Sequence, residues 1–127
     1  MFLGIVTETA MEPQVLPPGE YTVKVIAATL GASKSGNQML TVLYNFPGQV
    51  ATKLMTEYYL LPTNSDDPDT LNRKVLALKH LQECFGVTDI SDANQLVSLE
   101  GRVILRVVPG TAEYPDETNK IQKYIKA

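Results

Sequence analysis

The chain has 127 residues, 44% hydrophobic and 20% charged, with a formal net charge of −3; these values describe one ordinary globular domain and exclude a disordered polyelectrolyte. Cys84 is the only cysteine, which excludes an intrachain disulfide and fits a reducing compartment. No apolar run approaches the roughly 18 residues of a membrane span, and the stretch 1–13 lacks Lys and Arg and carries Glu8 and Glu12, unlike a signal peptide.

Residues 1–18 form a loosely patterned leader that ends in Pro17-Pro18-Gly19, a stiff turn, and residues 19–127 form one domain. From Glu20 to Leu30 the chain alternates, with Tyr21, Val23, Val25 and Ala27 on one side of a strand and Thr22, Lys24, Ile26 and Ala28 on the other. The loop 31–37 is rich in turn residues, a second strand runs from Met39 to Phe46, and Pro47-Gly48 turns into a third over 50–60. The period then changes. Asp67-Pro68 reads as a helix N-cap with proline at the first position. Leu71, Val75, Leu78, Leu81 and Phe85 recur at helical spacing, and Gly86 closes the element. A short turn over 91–97 leads to a fourth strand, Gly101–Val108, in which Val103, Leu105 and Val107 alternate with Arg102, Ile104 and Arg106. The polar loop from Pro109 precedes a fifth strand, Lys120–Ile125. Three strands, a helix and two strands suit a mainly β, five-stranded Greek-key barrel of the OB type. A split βαβ fold would need a helix after the first strand, and residues 31–38 are too few for one.

The charge is unevenly distributed. Lys24, Lys34 and Lys53 leave residues 21–56 net basic, and residues 101–127 are basic too, whereas 57–100 carries eight acids against Arg73, Lys74 and Lys79. The strands are therefore cationic and the connecting middle acidic, and local potential decides where a polyanion docks.

Little in the chain supports catalysis. His80 has no Cys or carboxylate at metal-ligand spacing, and Asp66, Asp67 and Asp69 lack the glycine and distal glutamate of a calcium loop. Gly31–Gly36 lacks the Gly-Lys-Ser/Thr end of a phosphate-binding loop. No enzyme activity, cofactor or metal is expected. What remains is cations and flat rings on strands, the combination that holds unpaired nucleic acid. Lys24, Arg102 and Arg106 fall opposite the Val23/Val25 and Val103/Val107 rows and should face out, joined by Lys34, Lys53, Lys120 and Lys123, with Asn37 beside Lys34. The ring candidates are Tyr44, Phe46, Tyr58, Tyr59, Tyr114 and Tyr124. Tyr44 is in phase with Leu40 and Val42, so core packing competes there. Tyr58 and Tyr59 are adjacent in an extended segment, so one faces in and the other out.

Several segments resemble small single-stranded-DNA-binding proteins encoded by bacteriophages. They are Pro18-Gly19-Glu20-Tyr21, the run Ser33-Lys34-Ser35-Gly36-Asn37-Gln38-Met39-Leu40, Leu99-Glu100-Gly101-Arg102, and Asn119-Lys120-Ile121, and the likeness spans about residues 17–125. The resemblance implies an OB fold that coats single strands in phage replication or recombination, in the host cytoplasm and off the membrane. Lys34–Asn37 would then border the groove, with replication or recombination proteins or a second copy of the chain as further partners. Two features depart from that pattern: the chain ends in basic Lys120–Ala127 instead of an acidic recruiting tail, and tryptophan is absent. A non-catalytic protein–protein or virion-assembly module on the same barrel is the alternative.

Overall fold

The computed structural model describes residues 11–34, 36–113 and 115–127. Its elements are β1 (Gly19–Ala32), β2 (Gln38–Asn45), β3 (Met55–Leu60), α1 (Pro68–Phe85), a one-turn 3₁₀ helix (Ala93–Leu96), β4 (Glu100–Val108) and β5 (Thr118–Ile125). The strands form one antiparallel sheet in the order β3-β2-β1-β4-β5. β1 can serve both halves because it is long: Gly19–Lys24 pairs with β4 and Lys24–Ala32 with β2. The sheet is open, so the expectation of a closed barrel is met only as far as five antiparallel strands and a helix.

One face of the sheet is apolar, and the alternation explains why. Val23, Val25, Leu40, Val42, Tyr44, Met55, Tyr59, Val103 and Leu105 are buried together. Two irregularities alter the expected phase. A bulge between Val25 and Ala27 inserts Ile26, so Ala28 rather than Ala27 returns to the inner side opposite Val42. A second bulge separates the Leu105–Ile121 and Ile104–Lys123 pairs and inserts Gln122. It turns Ile121 and Tyr124 inward together and leaves Lys120 and Lys123 on the outer face.

The third strand begins at Met55, not at residue 50. The preceding stretch instead receives the described end of the leader, through a bridge between Gln14 and Thr52. Leu16 is buried beside it, its N–H donating to the Asn119 carboxamide at 2.8 Å while that carboxamide donates back to the Leu16 carbonyl at 2.9 Å.

Helix α1 starts as expected: the Asp67 carboxylate accepts the Thr70 N–H, Pro68 opens the first turn, and Gly86 ends it in a left-handed conformation at φ 70°. Its apolar stripe docks only at the C-terminal end. Leu81, Cys84 and Phe85 join the core, and Phe85 stacks on Tyr44 at 5.9 Å. Leu71 and Val75, expected within that stripe, are exposed; in the first two turns it is Thr70, Arg73 and Lys74 that face β3. Gly101 lets the docked end approach: a Cβ there would lie 2.8 Å from the Cys84 sulfur and 3.1 Å from its carbonyl oxygen.

Candidate nucleic-acid interface

The two sheet edges, β3 and β5, approach each other and are bridged through side chains. The Ile121 N–H donates to the Glu57 carboxylate at 2.8 Å, and the Lys120 ammonium donates to the Thr56 carbonyl at 2.6 Å. Beneath this seam three phenols form a chain. The Tyr44 and Tyr59 hydroxyls are 2.9 Å apart and those of Tyr59 and Tyr124 2.5 Å. Burial pushes all three phenols well above the ordinary tyrosine range, so they stay neutral and share protons as hydrogen-bond donors. Of the ring candidates, Tyr44, Phe46 and Tyr59 have their rings in the core and Tyr124 is half-buried against it, and the hydroxyls of the three tyrosines are engaged with one another.

Tyr58 is the outward member of its pair, 57% exposed. The Lys120 ammonium sits 5.4 Å from the centre of its ring, close enough for cation–π attraction. Arg106 is the register partner of Lys120 on β4, and Lys123 follows on the outer side of β5. Lys53 stands at the start of the same seam, its ammonium 3.4 Å from the Glu117 carbonyl. Four sequence candidates (Tyr58, Arg106, Lys120 and Lys123) thus share the outer side of β3, β4 and β5, and Lys53 reaches the same seam from the stretch before β3. Glu57 lies at the same seam, within the influence of Lys120 and Arg106. Burial raises its carboxyl above the usual carboxylate range, opposed by the Ile121 N–H and then by Lys120 and Arg106.

The other candidates lie elsewhere. Lys24 is half-buried, paired in register with Asn45 and Glu100. Arg102 is on the outer face as expected, but it is ion-paired with Glu20. Lys34 and Asn37 are exposed in the β1–β2 hairpin, where the Ser33 N–H donates to the Asn37 carbonyl at 2.7 Å. Tyr114 lies outside the described residues. Sequence reasoning missed Arg73, which joins Tyr58, Tyr59, Leu60, Thr70, Lys74 and Ala77 around a cavity of about 250 Å³ between β3 and α1. Its spacing within the helix was legible, but its position beside Tyr58 depends on how α1 crosses the sheet. No helix is long and apolar enough to cross a membrane among the described residues.

Sheet and strip together define a class: a small, mainly β protein with one five-stranded antiparallel sheet and an aromatic–cationic strip over its edge strands. The chain belongs to the family described as protein of unknown function (DUF669), which matches residues 5–124. No curated protein matches it.

Proposed function

We propose that this protein is an OB-type barrel that binds single-stranded DNA with little sequence preference and without catalysis, in phage replication or recombination. The strand order, with β3 and β5 meeting at a side-chain seam, is the order a five-stranded Greek-key barrel requires. The observation that carries the binding reading is the outward Tyr58 ring with Lys120 beside it and Arg106 in register. A ring of that kind stacks any base, because every base has a π-face, and the flanking cations hold the phosphates. The resemblance of the Lys34–Asn37 and Asn119–Ile121 segments to phage single-strand binders supports the same reading.

Anisotropy of a labelled oligothymidylate at low salt tests it. Tyr58→Ala should weaken binding about 5- to 150-fold, the equivalent of roughly 1–3 kcal/mol per stacked base, with thermal stability close to that of the wild type because Tyr58 is exposed. Lys123→Glu should also weaken it. A wild-type protein that binds no single strand sinks the proposal.

A second reading is favoured by one observation: Leu71, Val75 and Leu76 are 40–47% exposed on the unpacked turns of α1. They suit a protein partner, with the sheet as scaffold. Pull-down loss on Leu76→Glu with DNA binding intact, or absent from the start, would favour it.

A further inference from the structure

Tyr58 borders two different environments. Lys120 lies over its ring in the seam, and Tyr58 also lines the cavity between β3 and α1. That cavity, about 250 Å³, is lined by Tyr58, Tyr59 and Leu60 from the sheet and by Thr70, Arg73, Lys74 and Ala77 from the helix. It falls below the roughly 300–1,000 Å³ typical of sites that enclose a whole small molecule, and it suits one flat ring with a charged group at its rim.

The two helix cations differ. Lys74 is already neutralised: its ammonium is 2.9 Å from Asp66, both side chains are only 10% exposed, and the Thr63 N–H also binds that carboxylate. Arg73 is exposed and belongs to no ion pair among the described residues. Its guanidinium makes one long contact, 3.5 Å to the Thr70 hydroxyl, and Asp67, the acid it acts on across the first turn, is occupied in capping Thr70. A guanidinium with unfilled donors at the mouth of an aromatic-walled cavity fits a phosphate, which it can grip with two parallel hydrogen bonds.

On this basis we infer that the cavity between β3 and α1 is a nucleotide subsite, in which a base enters beside Tyr58 and its phosphate is held by Arg73. The inference rests on the proposed strand binding and extends it: the strand leaves the seam at Tyr58 and continues onto the helix, instead of staying on the sheet. Helix α1 then contributes to binding as well as to the core.

A length series of oligothymidylates with wild type, Arg73→Glu and Arg73→Lys tests this. The shortest oligomer the wild type binds should occupy the seam alone and be unaffected by Arg73→Glu. Longer oligomers should lose at least about tenfold in affinity, with the salt slope smaller by about one contact, and Arg73→Lys should retain most of the affinity. Photo-crosslinking with an iodouracil-containing strand should label the peptide bearing residues 70–77. Equal affinity of wild type and Arg73→Glu at every length would overturn the subsite, and so would an equal loss at every length, which would make Arg73 only part of the general field. In both cases strand binding itself would stand. A wild type that binds no oligomer removes the strand-binding proposal and the subsite with it.

Discussion

Glu57 shares the inner phase of β3 with Met55 and Tyr59, an unusual place for a carboxylate, and its oxygen accepts the Ile121 N–H from the opposite edge. Desolvation raises its proton affinity in the fold above that of the unfolded chain, so folding takes up a proton there. The stability it contributes is therefore complete below the unfolded carboxyl pKa of about 4.3 and is lost as pH rises through the higher folded value. Glu57→Gln keeps an acceptor for Ile121 but cannot ionise. Urea denaturation at about pH 4 and pH 7 should show the variant gaining on the wild type as pH rises; a pH-independent difference would mean that the seam, not burial, governs Glu57. At the same scale, tyrosine exposure was half legible. Adjacency in a strand required one of Tyr58 and Tyr59 to face out, but the choice between them depends on which neighbours β3 pairs with.

Among the elements, α1 makes its closest approach to the sheet at β4. Cys84 and Phe85 reach the core only because position 101 has no side chain. Gly101→Ala should cost about 1–3 kcal/mol, as overpacking does when a neighbour cannot move. Here one of the obstructing atoms is backbone. Thermal denaturation would show it, and an unchanged midpoint would mean that helix and sheet slide apart freely. The boundaries of α1 were readable from Asp67, Pro68 and Gly86, since capping is local chemistry. The docked length was not. An apolar residue at helical spacing marks a face, but which turns of that face meet the sheet is set by how α1 crosses it, and Leu71 and Val75 stay exposed.

For the molecule as a whole, the net charge of −3 understates the local field along the seam. Arg106, Lys120 and Lys123 share the outer side of β4 and β5 and Lys53 stands at the start of the seam, whereas Arg102, Lys74 and Lys126 are spent on Glu20, Asp66 and Glu83. If the strip holds a strand through about three to four phosphates, log K should fall with log salt at a slope on the order of −2 to −3. Measured anisotropy titrations at several salt concentrations check this. A flat salt response would move the affinity to stacking alone.

The chain's own pattern was enough for the five strands, the single helix and its caps, because period and capping are set by near neighbours. It was also enough to exclude an intrachain disulfide. The grouping of the cations came only with the tertiary structure. Lys120 and Lys123 are three apart and would face opposite ways in an unbroken strand, and it is the inserted Gln122 that returns both to one side. The approach of β3 to β5, which puts Lys120 beside Tyr58 across 61 intervening positions, has the same origin. Bulges and edge contacts arise from pairing between distant segments, and no local window of sequence contains them.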